Sequence, residues 1–259
     1  MSGFSPEAAA SFLAEARAAR RTLDTLGDVA PRNEAEAAAT QTVLAGLRGA
    51  SPPGGFKIGA TAKRMQEYLG LSGPAAGFMA HRDIHADGVR LTFADFRNPG
   101  VECELAVRLA RDIPPGPCTA AQAASAVGDF MAAIEIVENR YGALDVLGTP
   151  SLIADQVFHA AAVTGTPFAA WRETDIAALG GRIRIAGQEK GSGVARDLLG
   201  HPMNSLAWLA SSPVAAVFGG LKAGQVVMLG SVTPPMWMDA PGAVEVEFDG
   251  MAPVRVILA

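Results

Sequence analysis

Between Val101 and Leu109 the side chains alternate without a break, with Val101, Cys103, Leu105, Val107 and Leu109 on one side and Glu102, Glu104, Ala106 and Arg108 on the other. A period of two puts successive side chains on opposite faces of a β-strand, so this stretch can bury one face only within a sheet. Ala133–Glu138 is a second strand-like run, and Gly55–Gly59 is a short glycine-bounded one. Further strands are expected at Arg182–Ala186, Gln225–Leu229, Val244–Phe248 and Val254–Leu258, with Asp249-Gly250 as a turn signal. Helices are expected from Ser5-Pro6-Glu7 to about Leu26, from Asn33-Glu34 to the Gly/Ser/Pro-rich segment at Gly49, and from a Thr61 cap to Gly70. Two more are expected from Thr119 to about Phe130 and over Pro202–Ser211. Strands and helices do not alternate regularly, which favours an α+β roll over a doubly wound sheet. Residues 1–50 are expected to form a small N-terminal helical subdomain and residues 51–259 a strand-rich domain.

The 259 residues are 49% hydrophobic and 18% charged, enough to bury a sizeable core. The formal net charge of −5 and the lack of any Lys/Arg stripe argue against a nucleic-acid partner. No run of 18 uncharged apolar residues is present to span a membrane, and Met1–Leu13 lacks the pattern of a secretory signal. Cys103 and Cys118 are too few for a disulfide framework, so the expected compartment is the cytoplasm.

Three acids are candidates for chemistry. Glu102 and Glu104 share a strand face, roughly 6.5–7 Å apart at the backbone. Such a pair fits a solvated strand face as well as a cation site. Glu135 sits between Ile134 and Ile136, where an unpaired buried carboxylate would be costly, so it requires a cation or a hydrogen-bond donor. Together the three would supply one side of an oxygen-rich site suited to Mg²⁺ or Mn²⁺. Lys57, between Phe56 and Ile58, is either a snorkelling surface lysine or an ammonium placed to stabilise an enolate or relay a proton. Of the histidines, His81 and His85 have no helix to align them as a zinc pair. His159, in the apolar run Val157–Val163, reads as a hydrogen-bonded core residue, and His201 as a helix-starting one. Gly191-Ser192-Gly193 fails the dinucleotide fingerprint, and Ser231 lacks the flanking glycines of a nucleophile elbow.

Gly55–Thr61, Val101–Glu104, Ala133–Arg140, Gly200–Leu209 and Gly224–Ser231, taken in order, resemble the 2-keto-4-pentenoate hydratase and 4-oxalocrotonate decarboxylase branch of the fumarylacetoacetate hydrolase superfamily. The resemblance runs from about Pro31 to the C-terminus. It implies a mixed β-roll with helices outside, a Mg²⁺ or Mn²⁺ ion on Glu102, Glu104 and Glu135, and a catalytic Lys57. It also implies substrate contacts from Arg140, Asp155, Gln156, Ser231 and Thr233, a small 2-oxo acid as substrate, and a homo-oligomer. The implied reaction is hydration of a 2-hydroxy-2,4-dienoate or 2-oxo-4-enoate to a 4-hydroxy-2-oxo acid. The alternatives are decarboxylation of an oxalocrotonate-type acid, C–C hydrolysis of an acylpyruvate, or a non-catalytic partner subunit. Two positions depart from the family pattern: Ala75 stands where an acid is common, and Phe158 ends Asp155-Gln156-Val157-Phe158 where the pattern reads Asp-Asn-Ala-Ser.

Overall fold

The computed structural model describes residues 3–259, apart from the side chains of Arg64 and Tyr68. Thirteen strands form two sheets among the described residues. They are β1 (Gly55–Gly59), β2 (Ala75–Met79), β3 (Ile84–Ala86), β4 (Val89–Leu91), β5 (Pro99–Leu109), β6 (Val127–Glu138), β7 (His159–Thr164), β8 (Gly180–Ile185), β9 (Gln188–Val194), β10 (Val226–Ser231), β11 (Met236–Trp237), β12 (Gly242–Phe248) and β13 (Val254–Leu258). The larger sheet has the order β2-β1-β10-β5-β6-β7-β3, with β11 added to β5; the smaller runs β4-β13-β12-β8-β9. Parallel pairs (β1 with β10, β3 with β7, β4 with β13) sit among antiparallel ones, so the sheets are mixed and the class is α+β.

The alternation in β5 explains the layering. Val101, Cys103, Leu105 and Val107 face the main core, where β12 and β13 pack against β6. Ala106 faces the other way, into a smaller apolar cluster with Met131, Ala133, Ala162 and Met228. Glu102 and Glu104 share that second face with Ala106.

Eight α-helices lie outside the sheets among the described residues: α1 (Pro6–Ala18), α2 (Glu34–Leu47), α3 (Lys63–Leu69), α4 (Ala120–Ala126), α5 (Leu144–Leu147), α6 (Thr149–Ala154), α7 (Pro202–Ala210) and α8 (Pro213–Val217). Helices α1 and α2 pack on each other, and α2 also packs on α6, α8 and β2. Gln41 of α2 donates to the carbonyls of Ala76 and Ile153, at 2.8 and 2.7 Å. Leu13 and Leu44 belong to the same core cluster as Phe56 and Leu105, so the N-terminal helices share the core of the sheets.

Three helix ends differ from expectation. Helix α1 stops at Ala18 instead of about Leu26, because Arg20 turns left-handed (φ 53°) and Leu23 exchanges backbone hydrogen bonds with Arg140 and Gly142. Ala62, not Thr61, occupies the N-cap of α3 and makes no side-chain cap. The alanine-rich helix keeps its Thr119–Gln122 capping box but ends at Ala126, and β6 starts at Val127. Pairing with β5, in which Phe130 lies opposite Val107, draws Val127 and Phe130, both β-favouring, into the sheet together with Gly128 and Asp129 between them. Strands β2, β3, β4, β7, β9 and β11 add to the expected set; each is short or lacks a clean alternation, and partner strands define it.

Candidate functional site

Strands β5 and β6 pair with Glu102 directly opposite Glu135. Residues opposite each other in an antiparallel pair have Cα atoms about 4.5–5.5 Å apart, so this register brings together two acids 33 positions apart in the chain. Glu104, two residues along the same face, completes the group. One carboxylate oxygen from each of Glu102, Glu104 and Glu135 lies within 4.8 Å of the others.

Glu135 is fully buried, and its Oε1 receives two partners. Lys57 Nζ, from β1, lies 3.4 Å away with its side chain also buried, which rules out the snorkelling geometry. His159 Nδ1, from β7, lies 2.8 Å away. Burial opposes the charge on Glu135, but Lys57 and His159 together hold its pKa below the ordinary value. Burial lowers the pKa of His159, so the neutral ring donates its Nδ1–H to the carboxylate and leaves Nε2 without a partner. Glu104 Oε2 accepts the Gly230 N–H at 2.9 Å. Gly230 has φ +113°, and a Cβ there would lie 2.6 Å from Thr61, so only glycine brings the backbone this close.

Three carboxylates face one ammonium and a neutral imidazole. Burial, reinforced by the charge of Glu135, pushes Glu102 up to about 8, and it raises Glu104 well above the carboxylate range. Glu135 Oε2 is buried and has no hydrogen-bond partner. An orphaned carboxylate oxygen next to two acids whose charge is disfavoured by burial is the environment that a hard divalent cation relieves, and an all-oxygen donor set fits Mg²⁺ or Mn²⁺.

The sign of the resulting pH dependence follows. Glu102 binds its proton up to about pH 8 when folded but only to its ordinary 4.5 when unfolded, so its protonation stabilises the metal-free fold below that value. That stability is lost as pH rises toward 8, Glu104 acts in the same direction, and Glu135 opposes them. The melting temperature of chelator-treated protein is therefore expected to fall across this window. Added Mg²⁺ should raise it more at the alkaline end than at the acid end. A metal effect independent of pH would count against the acid cluster as the binding site.

Above the acids opens a cavity of about 610 Å³. Lys57, Glu102 and Glu104 line it, with Ser231 and Thr233 from the end of β10 and the segment after it. The Ser231 hydroxyl lies 2.7 Å from the Thr233 carbonyl and 3.2 Å from that of Cys103. Phe158 and Trp237 form an apolar side of the wall.

The other expected site residues lie elsewhere. Arg140, Asp155 and Gln156 do not line the cavity. Asp155 is fully buried and accepts from Arg17 Nε and Tyr141 Oη, each at 2.8 Å, and from Arg140 Nη2. Gln156 bonds to Arg48 and to the Phe78 carbonyl. These contacts fasten a segment in which Gln156, Val157 and Phe158 are successively left-handed, at φ 65°, 49° and 66°. Non-glycine residues held there cost on the order of 1–3 kcal/mol each, and the side-chain anchors offset that strain. The turn sends Val157 and Phe158 into the cavity wall while Asp155 and Gln156 stay behind it. Ala75 pairs with Gly59 in β2 and lies outside the cavity. His159 is the hydrogen-bonded core histidine its sequence setting suggests, but its partner being Glu135 was not foreseen. The available signal was complementarity, since each residue was a lone polar group in an apolar run needing a partner.

Residues 60–258 match the family model described as Fumarylacetoacetate (FAA) hydrolase C-terminal. The chain belongs to this family. Two relatives named 2-keto-4-pentenoate hydratase, from Burkholderia vietnamiensis and Paraburkholderia phymatum, are 32% and 31% identical to it. The alignments cover 95% and 96% of this chain and 94% and 95% of theirs. The resemblance read from the ordered motifs is thus family membership. The fold is shared with a structure of 4-oxalocrotonate decarboxylase from Pseudomonas putida G7 complexed with magnesium and adipate. That match has a TM-score of 0.88 at 22% identity and covers 98% of this chain and 97% of the other. A fumarylpyruvate hydrolase from Pseudomonas aeruginosa, in complex with Mn²⁺ and pyruvate, superposes with a TM-score of 0.60 at 14% identity, covering 79% and 88%.

Proposed function

We propose that this family member is a divalent-metal-dependent hydratase that converts a 2-hydroxy-2,4-dienoate, through its 2-oxo-enoate tautomer, into a 4-hydroxy-2-oxo acid. The observation that carries the reading is the convergence of Glu102, Glu104 and Glu135 within 4.8 Å, with Lys57 Nζ 3.4 Å from the buried Glu135 and with Lys57, Glu102 and Glu104 lining a cavity. The names of the relatives above 30% identity support hydration over the alternatives.

Glu102, Glu104 and Glu135 would hold the ion, Mg²⁺ by preference. When bound, it supplies a Lewis acid for the substrate carboxylate and 2-oxygen. Lys57 contributes an ammonium at the cavity floor, where it holds a proton against the negative charge that develops on the 2-oxygen as the enol O–H is lost. A proton is gained at the far end of the diene, and water then adds its hydroxyl at C4 and its hydrogen at C3. Ser231 and Thr233 present hydroxyls for orienting the substrate. His159 keeps Glu135 in place through the 2.8 Å bond and acts only through that residue.

Decarboxylation needs the same stabilised enolate but no activated water, so it is the second reading of this site. The two are separated by products. Purified protein with Mg²⁺ is offered 2-hydroxypenta-2,4-dienoate, 2-hydroxymuconate and an acylpyruvate, and absorbance and product mass are followed. Loss of dienol absorbance with gain of one water is expected for the dienoate. Release of CO₂ from the muconate with no hydration of the dienoate would replace the hydratase by the decarboxylase. Failure to turn over any of them, with metal bound, would leave a non-catalytic subunit.

A further inference from the structure

The acid cluster continues along the same two strands into an apolar platform. Gly100 lies two residues before Glu102 on β5, and Val137 lies two residues after Glu135 on β6; the two are opposite each other in register. Both therefore share the face that carries the acids, one strand step of roughly 6.5–7 Å away. Trp237 of β11 pairs with Gly100, and a Cβ on Gly100 would meet the indole at 2.8 Å and Val137 Cγ2 at 3.1 Å. The absence of a side chain at Gly100 is what lets the indole approach β5 this closely. Phe158 closes the platform, with its ring centroid 6.4 Å from that of Trp237 and 5.0 Å from that of Tyr141. The strained left-handed turn that holds Phe158 there is fixed from behind by Asp155 and Gln156.

Charge is distributed to match. Among the described residues, the cations lining the cavity are Lys57, already paired with Glu135, and Lys63, exposed in the first turn of α3. The remaining acid in the wall, Asp197, would repel a second carboxylate. A negatively charged tail laid on the platform would lose its water without gaining a buried partner.

We infer that Trp237, Phe158 and Val137 form a tail-binding platform that selects 2-oxo acids bearing an apolar substituent beyond C4 and discriminates against those ending in a second carboxylate. This rests on the reading that the acid cluster binds a metal-chelated 2-oxo acid head. The tail then runs along β5 from Glu102 toward Gly100, and the half-exposed Trp237, 47% accessible, is covered when the tail binds. Phe158 and Trp237 are specificity-determining residues here, since they touch the tail and not the reacting atoms.

The test uses Mg²⁺-loaded protein and calorimetric affinities for non-reacting 2-oxo acids: 2-oxobutanoate, 2-oxohexanoate and 2-oxoadipate. Each buried methylene tightens binding about fourfold, so 2-oxohexanoate should bind on the order of tenfold more tightly than 2-oxobutanoate. 2-Oxoadipate should bind on the order of tenfold more weakly than 2-oxohexanoate. Trp237→Ala, at a half-exposed position where misfolding is not expected, should remove most of the gain from the longer tail. Phe158→Ser should do the same, and Phe158→Leu should restore it. Equal affinity for all three acids, or a preference for the dicarboxylate, overturns the platform whether or not a dienoate is hydrated. A tail preference abolished in Trp237→Ala, found in a protein that hydrates nothing, would uphold the platform and sink the hydratase.

Discussion

Lys57→Ala is expected to lower kcat by about 10²–10⁴-fold while leaving Mg²⁺ affinity unchanged or slightly higher. The side chain is buried, and its Nζ lies 3.4 Å from Glu135 Oε1, so in the metal-free protein it is the cation that compensates the cluster. An ion bound by the three carboxylates takes over that compensation, and a lysine nearby then repels the metal instead of helping to hold it. What the substitution removes is the proton-bearing group at the cavity floor. Steady-state kinetics at saturating metal, with calorimetry for Mg²⁺, separates the two effects. Wild-type turnover in Lys57→Ala would make the lysine a charge-balancing residue with no part in the reaction.

Glu104→Gln is expected to weaken Mg²⁺ binding by at least about 100-fold, and turnover with it, without loss of the fold. Removing groups that merely support ligands costs about 10–100-fold in metal affinity, so loss of a ligand's charge should reach or exceed the upper end of that range. The fold should survive for a specific reason. Burial first, and then the charges of Glu135 and Glu102, keep Glu104 protonated well above the ordinary carboxylate range when no metal is bound. A neutral glutamine of the same length resembles that state, and its side-chain oxygen can still accept the Gly230 N–H that Glu104 accepts at 2.9 Å. A melting temperature equal to that of chelator-treated wild type, with no rise on adding Mg²⁺, is the expected signature. Unchanged metal affinity would remove Glu104 from the site.

Much of the site was legible because the relevant patterns are local. The alternation from Val101 to Leu109 put Glu102 and Glu104 on one face before any partner was known, and Lys57 was readable as a strand residue flanked by apolar neighbours. Glu135 was legible only as a buried acid in need of a partner. Which partner it meets depends on the register between β5 and β6, and a slip of one residue would turn it to the opposite face, away from Glu102. Arg140, Asp155 and Gln156 show how resemblance can point to the right segment while leaving the placement of its side chains open. The segment does shape the cavity, but it does so by presenting Val157 and Phe158, because three consecutive left-handed residues reverse which side chains face inward.

The sequence alone therefore determined what neighbouring residues decide between themselves. That includes the strand periodicity, the caps at Asn33 and Thr119, the paired carboxylates and the ordered motifs of the family. Tertiary structure decided what depends on chain segments meeting. It ended α1 at Ala18 by joining Leu23 to the backbone of Arg140 and Gly142, and it took Val127–Phe130 from a helix into β6. It set His159 against Glu135, and laid Trp237 on Gly100 next to the acids. The physical reason is the same in each case. A period or a cap is specified within a few residues, whereas register, burial and the pairing of a lone charge are settled by segments far apart in the chain.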